Sequence, residues 1–178
     1  KVFLAAVGPK MTEVAGEVAD GIIVHAFTTE KYLRETTLPA LERGFAKAGK
    51  RREDFEISYP MFVVTGNTEE DLSEAEQATR QQIAFYGSTP AYKPVLDSVG
   101  AGDLQGELNV MSKQGRWQEM AELITPDLLK EFAVIGEPQT LPEQIIQRYG
   151  DVVDRTSAAY AHIGKADRAN IIEKLSAV

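Results

Sequence analysis

The chain has 178 residues, of which 43% are hydrophobic and 26% charged, enough to bury one core of ordinary size. Its formal charge of −8 argues against nucleic acid or an anionic membrane as the main partner. It has no cysteine, which excludes disulfides, a thiol nucleophile and a thiolate metal site, and its two histidines, His25 and His162, exclude an all-histidine metal cage.

No apolar run is long enough for a membrane-spanning helix, and no secretory leader pattern stands out, so a cytoplasmic location is expected. Lys1 leads straight into an apolar strand without an initiator methionine. A piece of a longer protein is therefore expected.

Val2 to Val7 is an apolar run of strand length, stopped by Gly8-Pro9. Met11, Val14, Ala15 and Val18 follow at helical spacing. Asp20-Gly21 makes a turn, and Ile22-Ile23-Val24 is a second strand. The unit is strand, short helix, strand with a parallel pair, and the unbroken apolar strands predict burial on both faces. Gly8-Pro9-Lys10 lies where the first strand becomes helix. Glycine permits close backbone approach there, proline suits a helix start, and the free N–H groups of that turn can bind an anion. The same three residues also fit an ordinary strand-to-helix turn with a solvated lysine.

Thr28 or Thr29 is the expected cap of a helix from Glu30 to Ala48, kinked or broken at Pro39 and ended by Gly49. Phe55 to Val64 reads as a third strand, with Pro60 as a bulge or irregular edge. Thr68-Glu69-Glu70-Asp71 is a helix start whose carboxylates suit solvent and imply no metal, and the helix runs to about Tyr86. Glycines and prolines then punctuate Gly87 to Thr125, with short helices expected near 92–98 and 116–123 and with Trp117 and Met120 in the core. So long an excursion reads as an insertion or lid. A helix over Pro126 to Glu131, an apolar run at Phe132 to Ile135, a helix from Thr140 to Tyr149, a strand over Val152 to Ala161 and a terminal helix from Lys165 complete the chain. Ile171, Ile172 and Leu175 share one face of that last helix in this reading. The β/α alternation predicts an α/β fold with parallel strands, either an open sheet or half of an eight-stranded barrel.

The block LAAVGPKMTEVAGEVADGIIVHAF resembles the region from strand five to strand six in the bacterial luciferase-like monooxygenase superfamily. TTEKYLRETTLPALERGFAKAGK is similar to the sixth helix, FEISYPMFVVTGNTEEDL to the seventh strand and helix start, and FAVIGEPQTLPEQIIQRYGDVVDRTSAAYA to the approach to strand eight. RQQIAFYGSTPAYKPVL is similar to a segment of members that use the deazaflavin coenzyme F420.

The resemblance implies a (β/α)8 TIM barrel of which this chain is the second half, strands five to eight, with an insertion over about 87–125 after helix seven. It implies an oxidoreductase that moves a hydride between coenzyme F420 and an organic small molecule. FMN with an oxygen-dependent monooxygenation is the alternative. Ala5, Ala6, Val7 and Gly8 would line the cofactor, with Pro9 and Lys10 at its phosphate; Val7 stands where relatives often carry glycine, which narrows the space for close backbone approach. His25 follows strand six on the same face, either as a hydrogen-bonding group or as a rim residue, and His162 is expected in a surface loop. Phe85, Tyr86, Tyr92 and Lys93 resemble a segment that closes over substrate, or else pack the insertion against the barrel. No catalytic residue is assigned, because in relatives those groups lie in the first half of the barrel, and the chain alone is expected to be inactive. The expected partners are the N-terminal half of the same barrel and a second subunit in a homodimer. From another class, a non-catalytic half barrel with two open sheet edges would self-associate as a scaffold.

Overall fold

A computed structural model describes residues 1–157 and 163–177. The first strand, β1 (Phe3–Ala6), ends at Gly8, and Pro9 occupies the first turn of α1 (Pro9–Val18). Asp20 turns the chain into β2 (Gly21–Val24). Thr29, not Thr28, caps α2 (Glu30–Tyr32), its hydroxyl accepting the Tyr32 N–H at 3.1 Å. The break expected at Pro39 is a π turn over Leu33–Thr37, which leads into α3 (Leu38–Ala48). Leu38 N–H reaches back five residues to Leu33 O, and Pro39 has no N–H with which to resume the normal ladder. Gly49 ends α3 at φ +66°, a left-handed conformation that suits glycine.

The strand expected over 55–64 divides in two, β3 (Glu56–Pro60) and β4 (Phe62–Val64), on either side of Met61. Thr68 and Asp71 close a reciprocal capping box on α4 (Glu69–Gly87). After a 3-10 turn over Pro90–Tyr92 come α5 (Lys93–Ser98), α6 (Leu104–Lys113) and α7 (Trp117–Glu122). The sequence reading lacked α6, because Gly102 and Gly106 look like loop punctuation. Thr125 caps α8 (Pro126–Phe132), which runs into β5 (Ala133–Ile135). The chain closes with α9 (Leu141–Tyr149), β6 (Arg155–Ser157) and α10 (Lys165–Ser176). Part of the strand expected over 152–161, and His162 with it, lies outside the described residues.

Four strands form a parallel sheet in the order β1-β2-β3-β6, in register at Ala5–Ile23, Ile22–Ile57 and Tyr59–Thr156. A second, two-stranded parallel sheet pairs β4 with β5. The stretch 56–64 thus serves two sheets. Pro60 offers no N–H to a ladder, so a division of pairing at Pro60-Met61 costs little.

Two apolar cores follow from the two sheets. In the first, Ala6, Ile22, Val24, Ile57 and Tyr59 meet Ala15, Leu41, Phe45, Ile145 and Ile171 of the helices. In the second, Phe62, Val64 and Ala133 pack with Ile83, Leu96, Leu108, Met120, Leu129 and Phe132. The excursion expected over 87–125 is therefore part of a larger body that includes β4, β5 and α4. Helix α4, expected to be the seventh barrel helix, packs on α6, α7, α8 and β4. Arg148 of α9 joins the two bodies. Its guanidinium donates to the carbonyls of Lys130 (3.0 Å), Glu131 (2.8 Å) and Ala133 (3.0 Å) and to the Glu30 carboxylate (3.2 Å).

The helices cover only one face of the four-stranded sheet. The expectation of two buried faces is corrected here: Ala5, Val7 and Ile23 are exposed on the other side. On that open face Glu56 is bracketed by Arg155 and Lys1. Ile172 also departs from expectation, being 56% exposed while its neighbour Ile171 is buried. Among the described residues no helix is long and apolar enough to cross a membrane.

Helices α1 and α3 touch backbone to backbone at Gly16 and Gly44. A Cβ on Gly44 would lie 2.2 Å from the carbonyl oxygen of Glu13, and one on Gly16 2.7 Å from that of Leu41. Neither contact involves a side chain that can swing away. Gly44→Ala is expected to cost about 1–3 kcal/mol in urea denaturation. The Arg155 guanidinium first, then the Lys1 ammonium, hold the Glu56 carboxyl down at about 2. This group therefore contributes stability above the ordinary carboxylate range, and the contribution fades as pH falls toward 2. In a side-chain NMR titration, Arg155→Ala should move the Glu56 midpoint upward.

Candidate functional site

Part of the sequence-derived set meets at the carboxyl ends of β1 and β2. Gly8 has φ +77° and ψ 158°, a conformation that side-chain-bearing residues rarely adopt, and the space around a Cβ built there is open. The dihedral angle, not crowding, requires glycine. Gly8 O accepts the N–H (3.1 Å) and the hydroxyl (2.9 Å) of Thr12, which fixes the first turn of α1. Pro9 has no N–H, so Lys10 and Met11 supply the remaining donors of this helix start.

The facing wall is the loop from β2 to α2. Phe27 N–H donates to His25 Nδ1 at 3.0 Å, and Thr28 N–H to Ala26 O at 2.9 Å. Thr29 is engaged as the cap of α2, and its hydroxyl also lies 3.2 Å from that of Ser98. Thr28 is 3% exposed, and its hydroxyl has no hydrogen-bond partner. A buried hydroxyl without a partner costs about 1–3 kcal/mol, so its retention needs a reason. Between the two walls lies a cleft of about 20 Å³, lined among others by Ala6, Val7, Gly8, Thr12, His25 and Thr28. It has room for about one water-sized polar group.

Aromatic rings of the second body pack on His25, one wall of this cleft. Tyr92 stacks on His25 with centroids 4.8 Å apart, and Tyr86 meets the same imidazole edge-on at 4.8 Å. Phe27 continues the cluster toward Tyr92 (5.6 Å) and Phe132 (4.6 Å). Burial pushes the His25 pKa below its ordinary value. Burial first, then Tyr86, raises that of Tyr92.

The structure therefore brings Ala6, Val7, Gly8, His25, Tyr86 and Tyr92 together. Ala5 points to the open face of the sheet, and the side chains of Pro9 and Lys10 are exposed at the helix start. Phe85 does not reach the imidazole: it lies 5.4 Å from Tyr86 and 5.9 Å from Trp117, on a groove of about 460 Å³ between α4 and α7 that Tyr86 also lines. Trp117, expected in the core, is 48% exposed, whereas Met120 is buried. Lys93 is held by Asp97 at 2.5 Å on the surface of α5. Thr12, Thr28, Tyr32, Thr37 and Val95 line the cleft without having been singled out by sequence. The one signal was the Thr28-Thr29 pair, since a single cap leaves the other hydroxyl free. Among the described residues no group of three or more His, Asp or Glu side chains could hold a metal.

Residues 1–155 match the luciferase-like monooxygenase family. The chain belongs to that family. An uncharacterized protein of Mycobacterium tuberculosis is 48% identical over 155 residues, 87% of this chain and 46% of that protein. The F420-dependent glucose-6-phosphate dehydrogenase of Beutenbergia cavernae is 31% identical over 160 residues, 85% of this chain and 47% of the dehydrogenase. Among solved structures, the coenzyme F420 dependent tetrahydromethanopterin reductase from Methanopyrus kandleri superposes with a TM-score of 0.72 at 22% identity. That match covers 95% of this chain and 47% of the reductase, and it shows the fold. The chain spans about half the length of the curated relatives it matches. The luciferase-like fold accounts for the parallel strands, and barrels of this kind place their sites at the carboxyl ends, where the cleft lies.

The two adjacent threonines give a stability test. Thr28→Val removes an unpaired buried hydroxyl and should leave stability unchanged or raise it by about 1 kcal/mol. Thr29→Val removes a helix cap and should lower it by about 1 kcal/mol. Urea denaturation of the two variants reads both signs.

Proposed function

We propose that this chain is the cofactor-phosphate half of a coenzyme F420-dependent oxidoreductase. The observation that carries the reading is the cleft itself: a positive-φ glycine at a helix start faces a buried hydroxyl without a partner. An anionic oxygen seated there would meet the N–H groups of Lys10 and Met11 and the positive end of the α1 dipole. Thr28 Oγ1 would supply a further donor, and the exposed Lys10 a mobile positive charge. This donor set suits one oxygen of a phosphate group, which is what the cleft has room for. Hydride transfer is chemistry that F420 supplies when bound, and the protein's part is to hold, orient and shield it. The 31% identical F420-dependent dehydrogenase supports this cofactor over others.

In this reading β1, β2, β3 and β6 are strands five to eight of an eight-stranded barrel. The open sheet face with Ala5, Val7 and Ile23 would look into the barrel, and the first half would close it. The second body, carrying Tyr86 and Tyr92, would cover the substrate, with Phe85 and Lys93 further out on its surface. The substrate is then a small organic molecule, and the residues that act on it belong to the first half. A homodimer is the assembly this reading carries. The family description favours one second reading, an FMN-dependent monooxygenase.

The test is a titration of the full-length protein with F420 and with FMN, repeated on Gly8→Ala. F420 should bind, and the variant should bind it at least about tenfold more weakly, because a side chain at φ +77° and ψ 158° is strained by about 1–3 kcal/mol and shifts the turn. Binding of FMN alone would replace the reading by the monooxygenase. F420 binding that is indifferent to Gly8→Ala would move the phosphate away from this turn.

A further inference from the structure

The imidazole of His25 has one nitrogen engaged and one to spare. Nδ1 accepts the Phe27 N–H at 3.0 Å, so in the neutral ring the proton sits on Nε2. The ring is held on two sides, by Tyr92 in a stack and by Tyr86 edge-on. It lines the same cleft as Gly8 and Thr28. Among the described residues no acceptor is recorded for Nε2–H. The hydrogen bond to Nδ1 spans the start of the loop that carries Thr28 and Thr29 into α2.

We propose that the two nitrogens of His25 have separate tasks: Nδ1 positions the loop, and neutral Nε2–H donates to the anionic oxygen bound at the α1 turn. This rests on the phosphate reading of that turn and adds the charge state of the histidine to it. The consequence for pH is opposite to intuition. An imidazolium that attracted a phosphate would tighten binding on acidification. Here protonation puts a hydrogen on Nδ1, directly against the Phe27 N–H. Two donors then face each other, the loop lets go, and the cleft loses its wall. Anion binding should therefore weaken as pH falls. The side chains packed on the ring from α4 and from the 3-10 turn are Tyr86 and Tyr92, and burial raises the pKa of the latter. Lys10 stands at the start of α1. Burial also raises the pKa of Tyr32, which shares the cleft. Burial of His25 itself favours the neutral ring.

Two substitutions separate the tasks. His25→Asn places an amide oxygen where Nδ1 was and removes the Nε2 donor. His25→Gln places an amide donor near Nε2 and removes the loop acceptor. F420 affinity of the full-length protein is measured from pH 7.5 to 5 for wild type and both variants, with hydrogen exchange of the Phe27 amide in the free proteins. The His25→Asn protein should keep wild-type protection at Phe27, bind about tenfold more weakly at pH 7.5, and show less loss of affinity than wild type on acidification. The His25→Gln protein should exchange Phe27 several-fold faster. Any titration of the ligand itself is common to all three proteins and cancels in the comparison. Wild-type affinity that rises relative to His25→Asn as pH falls would overturn the proposal, and so would an Asn variant that binds as tightly as wild type. If Gly8→Ala still weakens F420 in that case, the phosphate reading survives and only the histidine's role falls. If wild type binds no F420, both fall together.

Discussion

One stretch of chain that pairs in two sheets determines where everything else lies. Up to Pro60 it is held between β2 and β6, and from Phe62 it is held by β5. Proline cannot donate to a ladder, so the change of partner falls where one hydrogen bond is missing anyway. Because the change comes at the carboxyl end of β3, the second body is rooted at the end of the sheet that carries Gly8 and His25. Tyr86 and Tyr92 consequently reach the imidazole from above. Arg148 fixes the angle between the two bodies by taking three carbonyls at the end of α8 and a carboxylate on α2. A charged donor with four acceptors in a planar fork is a more specific joint than apolar packing alone.

Beneath that joint, α1 is placed to high precision by the absence of side chains. Gly16 and Gly44 let two helix backbones touch, and the contact sets how far the α1 start stands from the loop after β2. The cleft at that start is built against local stability. Gly8 sits at a positive φ, and the Thr28 hydroxyl is buried without a partner. A sequence selected for stability alone would have an apolar residue of the same shape at Thr28. Two such costs coincide at this cleft, and in the proposed reading a bound oxygen supplies the missing partner.

The open face of the sheet tells a complementary story. Exposed Ala5, Val7 and Ile23 line up beside Glu56 and its two cationic neighbours. A face that combines small apolar groups with a compensated charge suits contact with further protein better than contact with water.

Features settled by a few neighbouring residues were legible in the sequence. Most of the strand and helix order (apart from α6, β5 and the division of the third strand), the capping box at Thr68 and Asp71, the stop at Gly49, the irregularity at Pro39 and Pro60 and the turn at Gly8 depend on dihedral preferences and on short-range hydrogen bonds. The match of LAAVGPKMTEVAGEVADGIIVHAF to a known frame added the fold to which these belong. What periodicity cannot supply is the identity of the facing surface. Neighbours Phe85 and Tyr86 are equally aromatic, yet one packs on Trp117 and the other on His25. Ile22 and Ile23 are the same residue, yet only the first is covered, because helices pack on one side of the sheet. Either threonine after Phe27 satisfies the capping rule, and the choice of Thr29 left Thr28 without a partner. Those outcomes are set by contacts between elements far apart in the chain, such as His25 with Tyr92 and Glu30 with Arg148. Only the tertiary structure fixes them, because burial and hydrogen bonding depend on which surfaces meet, and local sequence determines only which surfaces are available.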